Sequence, residues 1–300
     1  MKLLITLLTN HDLPRLKRLV KSVQLQYHEN FLNVDTYIVV NTLNDDYYQS
    51  VLNANFPFKV IKTESNGKPG KGKNSCMEIF ANGDWDFVTV MDGDDFFYPT
   101  FLRVIANHLK HYPSLDVLGK IPCDFISKYE PNGGYKFNFI QNDIKYWGSV
   151  WGISICHGRF GRPYGPGKGR WVDEDLPSNS DKAILLNKKA VESRMHEDIG
   201  NGEDHLYSMQ LLNRHQKGEL RYFQSMSSDM FVQDRSLDNN IQKKFPQELE
   251  VNIMKERMFD YVDVNRSNLD ELPIIFKELL LGQYKKEEYI KDLHKTCIIS

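Results

Sequence analysis

Three carboxylates directly follow an apolar run in the segment FVTVMDGDDFFYP. Asp92, Asp94 and Asp95 lie within four residues, so their like charges repel one another unless a cation neutralises them. Carboxylate oxygens are the ligands that Mg²⁺ and Mn²⁺ prefer, and either ion can also bind a diphosphate. The pattern predicts a divalent-metal site at the end of a strand. The alternative is a solvated acidic turn in which an aspartate caps a helix near Thr100.

A second pair of acids stands in GNGEDHL, where Glu203 and Asp204 follow a glycine turn and precede a helical pattern. Acids in a first helical turn can simply complement the helix dipole. They can also do chemistry, because a carboxylate aimed into a cleft can remove a proton from a hydroxyl group. We therefore treat this pair as candidate catalytic residues.

The segment SNGKPGKGKNS resembles a phosphate-binding P-loop through Gly67, Gly72 and Lys73. Asn74, however, stands where such a loop needs the Ser or Thr hydroxyl that binds Mg²⁺. The loop also follows the third predicted strand rather than the first. A nucleotidyltransferase is a further alternative, but no glycine-rich loop follows the first strand. We read the segment as a basic loop before a helix, from which Lys71 or Lys73 approaches a nucleotide; the alternative is a solvated turn.

A cationic, glycine-rich stretch, HGRFGRPYGPGKGRW, occupies residues 157–171. Arg162, Lys168, Arg170 and Trp171 are candidates for binding phosphate or an acceptor, since Arg binds phosphate bidentately and an indole can stack on a sugar or base. The stretch predicts either a lid over a diphosphate or a docking site for an anionic acceptor such as DNA. The alternative is a solvated surface loop.

Short apolar runs alternate with helical patterns in the first half of the chain. Strands are predicted over 2–8, 35–40, 58–62, 87–91 and 115–121, and helices from Leu13 (capped by Asp12, with Pro14 in its first turn), over 72–81 and over 100–111. This alternation predicts an α/β fold with a mostly parallel central sheet flanked by helices, whose ligands bind at the carboxyl ends of the strands.

Other patterns follow residue 122. A hairpin is predicted around Pro131 to Gly134, then a strand in AILLNKKAV, a turn and helix from Gly200, and helices from Gln242 onward. We expect one domain over 1–235, whose pattern changes between a first half (1–121) and a second half (122–235), with an α-helical C-terminal extension over 236–300.

Composition indicates an ordinary globular protein. The 300 residues are 41% hydrophobic and 26% charged with a net charge of −2, so an anionic partner must be held by a local cluster. Four scattered cysteines favour a reduced, cytoplasmic protein, and no apolar run approaches the roughly 20 residues of a membrane span. Cys76 lies near a predicted helix start, where a thiol can be activated, but we expect simple packing to explain this residue.

Taken together, these motifs resemble those of the GT-A fold glycosyltransferases, in particular the inverting family 2. The matching segments occur in the family's order: LLITLLTNHDLPRLKRLVKSV, MDGDDFFYP, AILLNKKAV and GEDHL. The resemblance covers about Lys2 to Leu212 and implies a Rossmann-like fold. It also implies that Asp92 and Asp94 contact a metal ion and the nucleotide sugar with Asp95 in support, that Asp204 is the general base, and that Glu203 orients Asp204 or the acceptor.

The resemblance further implies that the first half (1–121) is the nucleotide-sugar-binding half and the second half (122–235) the acceptor-binding half. The residues that bind the nucleotide sugar would be Thr9, Asn10, Asn41, Lys71, Lys73, Asn74 and Asp92. Asn41 stands where the family often has an aspartate that reads the base, so the nucleotide stays open, with a UDP-sugar favoured. The family has Arg-Asn where this chain has Lys73-Asn74.

We expect a Mn²⁺- or Mg²⁺-dependent enzyme that transfers a sugar from a nucleotide sugar to a hydroxyl group with inversion. The metal would stabilise the leaving diphosphate, and Asp204 would accept the hydroxyl proton. The acceptor would be a glycan or another soluble molecule. Two alternatives remain, namely transfer to hydroxylated bases of DNA and a catalytically silent module that only binds nucleotide sugars.

Overall fold

The computed structural model describes residues 1–120, 122–127, 135–141, 144–151, 182–200, 203–225, 230–235 and 293. The strands are β1 (Lys2–Thr9), β2 (Asn33–Val40), β3 (Lys59–Lys62), β4 (Phe87–Asp92), β5 (Phe96–Phe97), β6 (Val117–Lys120), β7 (Pro122–Ser127), β8 (Tyr135–Gln141), β9 (Ile144–Trp151), β10 (Lys182–Asn187), β11 (Tyr222–Ser225) and β12 (Phe231–Arg235). The helices are α1 (Leu13–Gln24), α2 (Asp45–Asn53), α3 (Pro69–Ala81), α4 (Phe101–His111) and α5 (Glu203–Gln216), with a 3₁₀ turn at Ala190–Glu192.

A seven-stranded, mostly parallel sheet forms the centre of the described structure, in the order β11-β6-β10-β4-β1-β2-β3. The pairs β1–β2, β1–β4, β2–β3 and β6–β11 are parallel, and β10 runs antiparallel to both of its neighbours. The predicted α/β class and parallel sheet are therefore confirmed. The five strands predicted in the first half are β1, β2, β3, β4 and β6, with ends shifted by one or two residues.

Apolar side chains of β1 point alternately to the two faces of this sheet. Leu3, Ile5 and Leu7 join a core cluster with α1 and α4, whereas Leu4 and Leu8 join a second cluster with α3 and α5. A strand buried on both faces in this way reads as a continuous apolar run, which explains the segment KLLITLL.

A second sheet has the order β5-β12-β7-β9-β8. The hairpin predicted between the strands now labelled β7 and β8 is wrong, because β9 lies between them and pairs antiparallel with both. The sequence pattern does not predict the strand β9. In the structure β9 pairs with both β7 and β8, so these two strands do not pair with each other. The predicted turn itself, Pro131 to Gly134, lies outside the described residues.

Local sequence signals explain where α1 and α2 begin. The Asp12 carboxylate accepts a hydrogen bond from the Arg15 backbone N–H at 3.0 Å, and Pro14 stands in the first turn, as predicted for α1. Asn44 caps α2 in the same manner. The sequence patterns predict neither α2 nor the two-residue strand β5.

Helix α3 begins at Pro69, three residues before its predicted start, so Lys71 and Lys73 lie in a helix and not in a basic loop. Gly70 permits this, because a Cβ there would lie only 2.2 Å from the His196 carbonyl oxygen. Cys76 is thereby placed in the middle of α3, where burial raises the pKa of its thiol to about 12. The thiol is therefore not activated, and the expectation that packing explains Cys76 is confirmed.

None of the described helices is both long and apolar enough to cross a membrane. The predicted helical extension over 236–300 falls outside the described residues except for Leu293, and the predicted domain boundaries stay a prediction.

Candidate active site

The carboxyl ends of β1, β2 and β4 meet at one edge of the central sheet. Asp92 ends β4 opposite Leu8 in β1, and the Asn41 backbone N–H donates to the Thr9 carbonyl oxygen at 2.9 Å. Gly93 allows the chain to turn tightly here, since a Cβ at that position would lie 2.7 Å from the Leu8 carbonyl oxygen. The edge where a ligand is expected thus carries the first acidic motif.

The three aspartates of this motif have different surroundings. The side chain of Asp92 is 29% exposed and that of Asp94 is 50% exposed. Asp95 is buried, and its carboxylate accepts a hydrogen bond from the backbone N–H of Asp234 in β12 at 3.2 Å. The first two carboxylates are partly exposed, while the third bonds to the second sheet.

Lys73 brings the two acidic motifs together. Its Nζ lies 2.7 Å from Glu203 Oε1, 3.6 Å from Asp92 Oδ1 and 3.9 Å from Asp204 Oδ2. Because both carboxylates lie within 4 Å of the same nitrogen, Asp92 Oδ1 and Asp204 Oδ2 must also lie near each other. Acids that are more than a hundred residues apart in the sequence share one small site.

Burial and charge act in opposite directions on this cluster. Burial alone would lower the pKa of Lys73, but the carboxylates of Asp92, Glu203 and Asp204 outweigh it and hold the pKa well above its ordinary value. Burial raises the pKa of Glu203, with the neighbouring charge of Asp204 adding to the rise and Lys73 opposing it. Lys73 therefore stays protonated and positively charged.

Asn74 and Lys71 both face the segment that precedes α5. The Asn74 amide donates to the Met195 carbonyl oxygen at 3.0 Å and to Glu197 Oε1 at 2.8 Å, and its oxygen accepts from the Met195 N–H at 2.9 Å. Lys71 Nζ lies 3.5 Å from Glu197 Oε2. Both residues are predicted to bind the nucleotide, and the structure shows them joining α3 to residues 195–197.

The predicted nucleoside-binding residues lie together at the ends of β1 and β2. The Thr9 hydroxyl is hydrogen-bonded to the Tyr47 hydroxyl, and the Asn10 side chain to His11. Asn41 is buried, and its amide nitrogen donates to Thr63 Oγ1 at 2.9 Å and to the Glu64 carbonyl oxygen at 2.7 Å. Because a carbonyl oxygen can only accept, these contacts fix which end of the Asn41 amide is nitrogen.

Two buried arginines of α1 belong to the site although sequence reasoning does not single them out. Arg15 Nη1 lies 3.7 Å from Asp94 Oδ2, and Arg18 Nη2 donates to the Asp94 carbonyl oxygen at 2.6 Å. Both also contact Asp234 in β12. The sequence feature that could have identified these two arginines is their i,i+3 spacing, which places both on one face of the helix. Nothing local shows that an acid 216 residues away lies opposite.

The partly exposed carboxylates suit a divalent cation that completes its coordination with a diphosphate, because Mg²⁺ is commonly held by one or two carboxylates plus phosphate oxygens. In the described part of the chain, no group of three or more His, Cys, Asp or Glu side chains is arranged to hold a metal ion unaided. Arg162, Lys168, Arg170 and Trp171 lie outside the described residues, so the predicted lid or DNA-docking role stays a prediction.

Comparison with known proteins bears on the family and the fold. The family model described as Glycosyl transferase family 2 matches residues 5–194. Among solved structures, S. aureus TarS 1–349 in complex with UDP-GlcNAc is 14% identical with a TM-score of 0.57, and the match covers 99% of this chain and 72% of that one. A longer TarS structure is matched over 43% of its length.

A third solved structure is that of the mannosyltransferase PcManGT from Pyrobaculum calidifontis in complex with GDP-Man and Mn²⁺. It is 8% identical with a TM-score of 0.50, over 97% of this chain and 73% of that one. At these identities the structural likeness shows the fold, which is GT-A. A search of curated proteins finds no match. Because the family model spans more than half of the chain, the protein belongs to glycosyl transferase family 2 and is a nucleotide-sugar-dependent glycosyltransferase.

Proposed function

We propose that this glycosyltransferase is metal-dependent and transfers the sugar to an acceptor hydroxyl by a single displacement with inversion. The observation that carries the proposal is the Lys73 cluster, which places Asp92 of the first acidic motif beside Glu203 and Asp204 of the second. A donor-side acid and an acceptor-side acid at this spacing allow a hydroxyl to attack the sugar while its leaving group is held nearby.

The exposures of the second acidic pair support a division of roles. The Asp204 side chain is 33% exposed, whereas that of Glu203 is only 6% exposed and bonded to Lys73. A general base must reach the proton that it removes, so Asp204 is the better base and Glu203 the residue that orients it. A base on the face of the sugar opposite the diphosphate gives inversion.

Asp92 and Asp94 would hold the divalent cation. When bound, the cation would neutralise the charge that develops on the leaving diphosphate. Arg15, 3.7 Å from Asp94, keeps that carboxylate in place from the protein side. The Mn²⁺ in the PcManGT complex is consistent with this assignment, although that protein shares only the fold.

The comparisons, rather than Asn41, suggest the donor base. Both amide N–H bonds of Asn41 are directed to Thr63 and Glu64, and its oxygen lies beside Gly72 of α3. We propose UDP or GDP as the carrier, because TarS is solved with UDP-GlcNAc and PcManGT with GDP-Man.

A thermal-shift panel tests this proposal. With Mn²⁺ present, UDP or GDP should raise the melting temperature and CDP and ADP should raise it less, because binding to the native state alone stabilises it. The shift should fall when the metal is chelated and in Asp94→Asn. A wild-type protein that responds to no nucleoside diphosphate would refute the proposed function.

A further inference from the structure

Lys73 occupies a different place from the one that its sequence context suggests. We propose that Lys73 is a positioning residue that couples the donor-side carboxylate Asp92 to the acceptor-side carboxylates Glu203 and Asp204, and that it does not bind the nucleotide. The inference rests on the proposed function, because it concerns how the general base is positioned relative to the donor sugar.

The ammonium group of Lys73 points into the protein. The Lys73 side chain is 5% exposed, and its contacts with carboxylates come from β4 on one side and α5 on the other. At 2.7 Å the Glu203 contact is a charge-assisted hydrogen bond, while the two longer contacts are electrostatic only. A diphosphate could reach this nitrogen only by displacing carboxylates that are themselves part of the site.

The backbone that carries Lys73 is held rigidly. On one side, Gly72 lies so close to the residue that follows β2 that a Cβ would sit 3.2 Å from the Asn41 side chain. On the other side, Asn74 makes two hydrogen bonds to the backbone of Met195. Lys73 is therefore held between two fixed neighbours, which is what a residue that sets the position of others requires.

The more exposed partners of Lys73 are the carboxylates that face the ligand. Asp92 and Asp204 both lie within 4 Å of the same buried nitrogen. Without the cation, the carboxylates would repel one another and move apart. A displacement of about 1 Å at reacting groups costs on the order of 10²-fold in rate.

The two possible roles of Lys73 differ in a measurable way. A lysine that binds phosphate contributes to affinity, so its loss weakens UDP binding. A lysine that positions the base contributes to turnover, so its loss lowers kcat and leaves UDP affinity nearly unchanged.

The experiment compares the wild-type chain with Lys73→Met, Lys73→Arg and the control Lys110→Met, whose lysine forms one exposed ion pair, with Glu29. Calorimetry gives the UDP affinity with Mn²⁺, and hydrolysis of UDP-GlcNAc or GDP-mannose, whichever the wild type turns over, gives kcat. We expect Lys73→Met to lower kcat by about 10²-fold with the affinity for the matching diphosphate changed less than about threefold. Lys73→Arg should recover most of kcat, and Lys110→Met should match the wild type.

Lys73→Met leaves Glu203 buried without its cation, which threatens folding. The double variant Lys73→Met/Glu203→Gln removes both charges, and it should regain the melting temperature while kcat stays low. A kcat for Lys73→Met near that of the wild type, or a tenfold (about 1.4 kcal/mol) loss of diphosphate affinity at unchanged kcat, would overturn the inference. If the wild type neither binds nor hydrolyses a nucleotide sugar, the proposed function fails first.

Discussion

Two buried ionisable residues, Lys73 and His108, show that the neighbouring groups determine whether a buried side chain is charged. Lys73 is surrounded by carboxylates and stays charged. His108, fully buried in α4, has the Val104 carbonyl oxygen as a hydrogen-bond partner at 2.8 Å. Burial lowers the pKa of His108 to about 4, because taking on a proton would place a charge in the apolar core.

The stability of the protein should therefore depend on the ionisation of His108. The unfolded chain takes up a proton as the pH falls below about 6.5, whereas the folded chain does so only near 4. The stabilisation is complete above 6.5 and is lost as the pH falls towards 4, and the free energy of unfolding should decline by about 3 kcal/mol across this window. Urea unfolding at a series of pH values measures the decline.

His111 offers a matched control. It is exposed on the same helix and makes the corresponding contact with the Asn107 carbonyl oxygen, at 3.0 Å. His108→Gln should flatten the pH dependence, and His111→Gln should leave it largely unchanged. Equal slopes for wild type and His108→Gln would show that this histidine does not set the acid sensitivity.

At the scale of elements, α1 ties the second sheet to the acidic motif. Arg18 Nη1 lies 2.6 Å from Asp234 Oδ2 in β12, and the same guanidinium donates to the backbone of Asp94 and stacks 4.5 Å from the Phe96 ring centre. Both side chains of the ion pair are about 1% exposed. The position of β12 therefore depends on a buried pair that fixes the first acidic motif at the same time.

Breaking this pair from one side should be costly. We expect Arg18→Met to lower the free energy of unfolding by about 3–5 kcal/mol, because the buried Asp234 carboxylate would lose its closest cation, with Arg15 remaining at 3.4 Å. Arg18→Met/Asp234→Leu should recover a large part of that loss. Lys110→Met, which removes an exposed pair, should cost less than about 1 kcal/mol. Chemical denaturation checks all three; a loss for Arg18→Met no larger than for Lys110→Met would contradict the role of the pair.

Elements with a strong local signal can be predicted from the sequence. β1 and β4 are continuous apolar runs, and α1 carries a capping aspartate and an early proline, so each prediction falls within a few residues of the observed bounds. The start of α3 is harder to predict because KPGKGK reads as a turn, and the close approach of Gly70 to His196, which only glycine permits, depends on a contact distant in sequence. The pairing of β7 with β9 escapes prediction because strand order depends on contacts distant in sequence.

At the scale of the whole molecule, contacts between distant parts of the chain also limit how much of the site can be predicted from the sequence. The types and order of Asp92, Asp94, Glu203 and Asp204 are enough to indicate a glycosyltransferase. The contact through Lys73 that joins the two acidic motifs cannot be predicted from the sequence. Lys73 and Glu203 are 130 residues apart, and no local pattern predicts that they touch. The family match and the GT-A likeness support the fold and the class of reaction.

The central proposal is that two acidic motifs, brought together from distant parts of the chain, bind the donor and activate the acceptor separately. Hydrolysis and binding of UDP-GlcNAc or GDP-mannose with Mn²⁺, measured side by side in Asp94→Asn and Asp204→Asn, test it most directly. Asp94→Asn should lose metal-dependent binding and turnover together. Asp204→Asn should bind like the wild type but turn over at least about 10²-fold more slowly. Full turnover by Asp204→Asn, or unchanged metal-dependent binding by Asp94→Asn, would contradict the account.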